Sequence, residues 1–216
     1  YRLFQNKYLT MKINFKKDKY TIIKKAIDKD LSVFLYNYFH TKRQVAQTLF
    51  NEKYISPFTN DFGTWNDVQV PNTYSHYADI AMETLLIKCQ PLMEKATKLK
   101  LYPAYSYARI YKNNDELKKH KDRFSCEIST TMNLGGDPWP IFLKTSKKQI
   151  KVILKPGDML VYKGCELEHW RNKFNGKDCV QVFLHYNDSK TKGALNNIFD
   201  NRKHIGLPAW FKNRNV

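Results

Sequence analysis

Cysteine is scarce in this sequence and is never paired in a motif. The four cysteines, Cys89, Cys126, Cys165 and Cys179, form no Cys-x-x-Cys pair, which excludes a zinc ribbon or a dithiol redox motif of the usual spacing. No apolar run reaches the roughly 18 residues that a membrane helix needs, and the first residues show no signal-peptide pattern. We therefore expect reduced thiols in an intracellular, cytoplasmic protein with no membrane partner, and Met11 is a candidate start.

Acidic residues are also in short supply. The 216 residues include 20 Asp and Glu against 37 Lys and Arg, which gives a formal net charge of +17. Such an excess attracts nucleic acid, anionic lipid or an acidic protein. The alternative is a merely solvated surface, because the lysines are scattered along the chain. Hydrophobic residues make up 42% of the chain and aromatic residues 14%, which provides a core and excludes general disorder.

The first hundred residues are predicted to be mainly helical. Asp28 or Asp30 is a candidate N-cap for a helix whose apolar positions recur every three or four residues from Leu31, and the pattern continues to Phe50. A loop with proline and glycine breakers follows. The same periodicity predicts a second helix over residues 77–99.

After residue 100 the pattern changes to short strands separated by turns. The predicted strands are 105–111, 126–134, 141–143, 149–154, 159–162, 167–174 and 180–186. Asn175-Gly176 is typical of a hairpin turn. Many short strands indicate a sandwich or barrel rather than a parallel sheet. We predict a single domain over 1–216, with helical support in 1–100, a β core in 101–187 and an extension in 188–216. Within the extension, Gly206, Leu207, Pro208 and Trp210 are expected to pack back on the body.

The sequence His120-Lys121-Asp122 places two metal-ligand side chains two residues apart. On a strand, residues i and i+2 point to the same face, so both side chains can reach one ion. His169, on another predicted strand, is the favoured third ligand. Two histidines and one carboxylate are the facial triad that suits non-haem Fe(II). Such an ion keeps coordination sites for a bidentate 2-oxo acid and for O2.

His185 is the main alternative third ligand, because it also lies on a predicted strand. His169 is favoured since it follows the turn at 156–158 and a short strand, and precedes a hairpin that carries basic residues. His185 lies beyond that hairpin, where a structural role is expected. The other histidines lie in the helical half or the tail and are also expected to be structural: His40, His76 and His204.

A 2-oxo diacid bound to the ion needs a counter-charge for its distal carboxylate, because burying an unpaired anion is unfavourable. Arg171 lies two residues after His169 and should share its inward face, while Lys177 begins the last predicted strand. Tyr111, on the strand before His120, is a candidate source of a hydroxyl group. The sequence does not decide between Arg171 and Lys177, and the alternative for each is a solvated base at a strand end.

Five segments carry a family resemblance. They are YSYARIY at 105–111, LKKHKDR at 117–123, CEIS at 126–129, GDMLVY at 157–162 and QVFLHY at 181–186. Together they resemble the prolyl 4-hydroxylase-like branch of the 2-oxoglutarate and Fe(II) oxygenases, phage and marine bacterial members in particular. The resemblance covers residues 80–187 well and the N-terminal third more loosely. If the gene is phage-encoded, the cytoplasm in question is that of the host.

This resemblance implies an α+β, mainly β fold, with a double-stranded β-helix, or jelly-roll, core buttressed by N-terminal helices. It also implies a dioxygenase that converts 2-oxoglutarate and O2 to succinate and CO2 while it hydroxylates a substrate, with ascorbate as a reductant. The family's metal ligands carry over to His120, Asp122 and His169. Its tyrosine on the first core strand carries over to Tyr111.

The chain departs from the family at the residue that binds the 2-oxoglutarate carboxylate. That basic residue usually lies nine or ten positions after the distal histidine, where this chain has Asp178 and Cys179. Lys177 would serve if the hairpin is short, and Arg171 would serve if the role has moved to the previous strand. Arg123 and Trp139 are candidate substrate-binding residues, although buried packing is the alternative for Trp139.

The substrate is less determined than the site. A peptidyl proline or another protein residue is the family's default, and the net charge makes nucleic acid an alternative, as is a small molecule. A non-catalytic jelly-roll binding module and a cupin-like metal protein that does not use 2-oxoglutarate are alternatives of a different class. The oligomeric state is not predicted.

Overall fold

The structure is a computed structural model that describes residues 13–212, so the candidate start Met11 lies outside the described residues. Its helices are α1 (Phe15–Asp18), α2 (Lys29–Asn51) and α3 (Ile80–Thr97). Its strands are β1 (Tyr20–Ile23), β2 (Ser75–Tyr77), β3 (Leu101–Lys112), β4 (Leu117–His120), β5 (Ile128–Gly136), β6 (Ile141–Lys144), β7 (Gln149–Val152), β8 (Met159–Lys163), β9 (Glu168–Arg171) and β10 (Asp178–Asp188). Short 3₁₀ helices cover Phe124–Cys126, Leu195–Asn201 and Ala209–Phe211.

The two long helices begin where an aspartate caps them. The Asp28 carboxylate accepts a hydrogen bond of 2.7 Å from the Leu31 N–H at the start of α2, as the sequence predicted. The Asp79 carboxylate accepts one of 3.1 Å from the Met82 N–H, so α3 begins at Ile80 rather than at residue 77. Such caps satisfy N–H groups that have no partner within the helix.

The strands form two antiparallel sheets. The larger sheet has the order β1-β8-β5-β10-β3-β2, and the smaller has the order β4-β9-β6-β7. Both edges of the larger sheet come from the first hundred residues, which were predicted to be mainly helical. In β1, Tyr20 pairs with Tyr162 and Ile23 pairs with Met159. The prediction was wrong there because runs of three or four residues are too short to show a strand period.

The core lies between the sheets and beneath the helices. Helices α2 and α3 cover one face of the larger sheet, and Phe39, Met82 and Leu86 are completely buried there. Burial of such side chains stabilises the fold by roughly 1.5–3 kcal/mol each. Between the sheets, Leu143 of β6 belongs to the same buried cluster as Leu160 of β8. The predicted fold class is confirmed: a mainly β, jelly-roll core is buttressed by N-terminal helices.

The C-terminal extension is bound to α3 by a buried ion pair. The Arg202 guanidinium lies 2.7 Å from the Glu83 carboxylate, and both side chains are fully buried. Glu83 also accepts from the Gly206 N–H, and Arg202 donates to the Leu207 carbonyl. Gly206 and Leu207 thus pack back as predicted. Trp210 is 65% exposed but also contacts the body, since its indole N–H donates to the Asp61 carboxylate at 3.2 Å.

Membrane insertion by a helix finds no support in this part of the chain. Across residues 13–212, no helix combines the length and the apolar character that a bilayer crossing requires.

Candidate metal centre

His120, Asp122 and His169 converge at one end of the space between the sheets. His120 is the last residue of β4 and pairs directly with His169 on β9, and their ring centroids are 4.2 Å apart. The Asp122 Oδ1 atom lies 3.6 Å from the His120 Nε2 atom and 3.4 Å from the His169 Nε2 atom. These three donor atoms are close enough together to hold one ion.

Asp122 reaches this position by a route that differs from the predicted one. Strand β4 ends at His120, so strand alternation does not place Asp122. Instead, its N–H donates to the Gly164 carbonyl at 3.0 Å, and the Ser129 hydroxyl donates to its Oδ2 atom at 2.7 Å. A Cβ atom at Gly164 would overlap this carboxylate oxygen. Glycine is therefore required at position 164 for Asp122 to face the histidines.

Both histidines present the ring nitrogen that a metal would bind. The His120 Nδ1 atom lies 2.7 Å from the Lys118 carbonyl oxygen, and the His169 Nδ1 atom lies 3.0 Å from the Leu167 carbonyl oxygen. A carbonyl only accepts hydrogen bonds, so each Nδ1 carries the proton. Each Nε2 atom is then the nitrogen left to bind a metal, which is the arrangement typical of metal-binding histidines.

The protonation states also suit metal binding. Burial alone would raise the pKa of Asp122, but the neighbouring His169 and the hydrogen bond from Ser129 outweigh it and lower that pKa to about 2. Burial and the neighbouring His169 lower the pKa of His120 below its ordinary value. At neutral pH the aspartate is therefore anionic and His120 is neutral, the forms in which they act as ligands.

A cavity of about 300 Å³ opens beside the three residues. Arg109 of β3 lies in its wall and is 2% exposed. Its guanidinium is 2.7 Å from the Asp67 carboxylate and donates to the Tyr111 hydroxyl at 3.2 Å. The Gln69 amide nitrogen lies 3.1 Å from the His120 Nε2 atom. Arg109 was missed in the sequence, although its position two residues before Tyr111 on one strand indicated a shared face.

Arg171 lies behind this wall, with its charge uncompensated. It is 1% exposed and donates to the Trp139 carbonyl, to the Thr131 hydroxyl at 3.1 Å and to the Gln181 amide oxygen at 3.2 Å. It is close enough to Tyr111 and Tyr162, which line the cavity, for their phenols to influence its pKa, which burial lowers. Among residues 13–212, no carboxylate forms an ion pair with Arg171.

The alternative anchor, Lys177, lies in the exposed turn before β10. Its backbone N–H donates to the Asp137 carboxylate at 2.6 Å, and its side chain is in solvent. Tyr111, by contrast, is completely buried in the cavity wall. The structure thus brings Tyr111 to the site and puts Arg171 next to it, while Lys177 stays on the surface.

The two predicted substrate residues differ in position. Arg123 lines the cavity, 2.8 Å from the Asp200 carboxylate and over the ring of Tyr105. Trp139 is 6% exposed, and its indole N–H donates to the Asn172 carbonyl. It is not among the residues that line the cavity. The prediction of Trp139 as a substrate-binding residue is therefore corrected to the alternative, buried packing, because the ring packs under Arg171.

His185, the rival third ligand, also lies near Asp122. It forms a second donor set with Asp122 and Cys126, but its Nδ1 atom is 3.0 Å from the Ser129 hydroxyl. Burial raises the pKa of the Cys126 thiol well above its ordinary value, and its sulfur already lies 3.0 Å from the Tyr105 hydroxyl. The set with His120 and His169 is the better metal site.

No protein-family model matches this chain, and no curated protein matches it. Solved structures do resemble it. A prolyl-4-hydroxylase of Pseudomonas putida superposes with a TM-score of 0.58 at 11% identity, over 81% of this chain and 95% of that one. AviO1 of Streptomyces viridochromogenes superposes with a TM-score of 0.61 at 13% identity, over 84% of this chain and 95% of that one. HygX of Streptomyces hygroscopicus was solved with nickel, 2-oxoglutarate and hygromycin B. It superposes with a TM-score of 0.58 at 11% identity, over 82% of this chain and 85% of that one. At these identities the likeness establishes the fold alone.

Proposed function

We propose that the protein is an Fe(II)- and 2-oxoglutarate-dependent dioxygenase. One observation carries the proposal: two imidazoles and one carboxylate present their donor atoms to a common point beside a cavity. Two histidines and one aspartate suit Fe(II) and leave coordination sites open. Bound Fe(II) would supply, together with 2-oxoglutarate and O2, the oxidising chemistry of substrate hydroxylation, with release of succinate and CO2.

The protein's own residues would bind and orient the reactants. His120, Asp122 and His169 would hold the metal, and Ser129 would keep the Asp122 carboxylate in place. Arg171 would bind the distal carboxylate of 2-oxoglutarate, supported by Tyr111, because its charge has no partner within the described chain. The HygX structure, which contains nickel and 2-oxoglutarate on a similar fold, supports 2-oxoglutarate as the co-substrate.

For the substrate, we propose a protein or peptide residue, with a peptidyl proline as the first candidate. The prolyl-4-hydroxylase among the similar structures supports it. The hygromycin B bound to HygX supports a small molecule as the alternative, and the net charge of +17 keeps nucleic acid as another. Arg123, at the cavity wall, would contact the substrate.

The reaction is tested by succinate release from 2-oxoglutarate with Fe(II), O2 and ascorbate. His120→Ala should reduce succinate formation by roughly 100-fold or more, because a ligand is lost. His204→Ala is the matched control, since this histidine is exposed in the C-terminal extension. If wild-type protein neither binds nor converts 2-oxoglutarate, the protein is instead a non-catalytic binding module or a cupin-like protein. If the protein does convert 2-oxoglutarate, mass spectrometry of peptides, nucleosides and small molecules incubated with it identifies the substrate.

A further inference from the structure

Gln181 and Thr131 surround the buried guanidinium of Arg171 with neutral oxygen atoms. The Thr131 hydroxyl donates to the Gln181 amide oxygen at 2.9 Å, and Arg171 donates to both residues. All three side chains are at most 1% exposed. The three side chains are therefore hydrogen-bonded to one another, and these bonds fix the position of the guanidinium.

The orientation of the Gln181 amide is fixed by a fourth residue. Its NH2 group donates to the Cys179 sulfur at 3.1 Å, so its oxygen faces the donors of Thr131 and Arg171. Position 181 is the obvious place for a counterion, because a glutamate there would reach Arg171 with the same number of atoms. The chain instead has an uncharged amide, and the Arg171 Nε–H has no hydrogen-bond partner among residues 13–212.

A buried cation without a counterion is unfavourable, because burial removes its hydration. A ligand carboxylate that reaches this group would gain a charge-assisted hydrogen bond without first displacing a protein carboxylate. The neutral cluster thus keeps the positive charge available for a ligand.

We propose that Gln181, supported by Thr131, is a positioning residue that holds Arg171 and, by being uncharged, makes the site selective for a 2-oxo acid with a second carboxylate. This inference rests on the proposed binding of 2-oxoglutarate. It predicts that introducing a negative charge at position 181 neutralises Arg171 from within the protein. The folded protein would then be at least as stable as the wild type, whereas its affinity for 2-oxoglutarate would be lower.

The test compares Gln181→Glu with Gln149→Glu, which makes the same change at an exposed position of β7. Calorimetry on Mn(II)-loaded protein measures the Kd of 2-oxoglutarate and of 2-oxopentanoate, which has a methyl group in place of the distal carboxylate. We expect Gln181→Glu to weaken 2-oxoglutarate binding by about 10- to 100-fold, as for the loss of a charge-assisted hydrogen bond. The Kd of 2-oxopentanoate should change little, and the control should change neither.

A second measurement does not depend on ligand or metal. The melting temperature of metal-free Gln181→Glu should equal or exceed that of the wild type, because the buried Arg171 gains a counterion. Equal 2-oxoglutarate affinity in Gln181→Glu and wild type would overturn the inference, as would a similar loss of affinity for both oxo acids. If the wild type binds neither oxo acid, the proposed function fails instead, and the melting temperature still tests whether Arg171 lacks a counterion.

Discussion

Two buried arginines of this protein have opposite surroundings. Arg202 lies 2.7 Å from the Glu83 carboxylate, with both side chains inaccessible to solvent. Arg171 is just as buried but contacts a hydroxyl, an amide oxygen and a carbonyl. The first charge is balanced within the protein and attaches the C-terminal extension to α3. The second is not balanced, which is expected of a group that awaits a ligand rather than one that holds the fold together.

The largest effect is expected when the balanced pair is broken. Glu83→Gln leaves Arg202 buried without its counterion, which should lower the free energy of unfolding by about 3–5 kcal/mol. Urea denaturation measures this change. Glu94→Gln is the control on the same helix, because Glu94 pairs with the exposed Lys100. This substitution should lower the free energy of unfolding by at most about 1 kcal/mol. Equal losses in the two variants would mean that the Glu83–Arg202 pair has no special role.

A smaller change in stability is expected when the unbalanced arginine is removed. Arg171→Met keeps most of the buried volume and removes a charge without a counterion, so the free energy of unfolding should change by no more than about 1–2 kcal/mol. The increase in melting temperature that 2-oxoglutarate produces in Mn(II)-loaded protein should be lost. Destabilisation as severe as that of Glu83→Gln would show instead that Arg171 is a structural residue.

The smallest effect is expected at the rival cation. Lys177→Met changes an exposed side chain in the turn before β10. The Kd of 2-oxoglutarate should therefore stay within about 2-fold of the wild-type value, as expected for most surface substitutions. The measurement is the same calorimetric titration. A loss of affinity in Lys177→Met, with none in Arg171→Met, would assign the anchor to Lys177 and reverse the comparison.

The sequence predicted most of the regular structure because its signals are local. Helix α2 follows from the Asp28 cap and a repeat of apolar residues, and most core strands were found within a few residues of their bounds. Strand β1 was missed, since its pairing with β8 depends on residues far away in the sequence. The Glu83–Arg202 pair was missed for the same reason, because no local pattern links partners that lie on different elements.

The candidate site was predicted only in part. The ligand types of His120, Asp122 and His169 were read from spacing, and their convergence in the structure agrees with it. The geometry that brings Asp122 into place depends on Gly164 and Ser129. Gly164 lies in none of the segments that carry the resemblance, and Ser129 lies in one of them but was not singled out. Gln181 was likewise not singled out. Its proposed role depends on the absence of a charge on its side chain next to Arg171, which lies on another strand.

The pairing of β1 with β8 also has a consequence for the order of folding. Tyr20 finds its partner only at Tyr162, and ribosomes add roughly 5–20 residues per second, so the first edge strand waits on the order of ten seconds for its neighbour. During that interval its backbone N–H and C=O groups are unpaired and open to association with other chains. Closure of this sheet edge is therefore a late event in biogenesis.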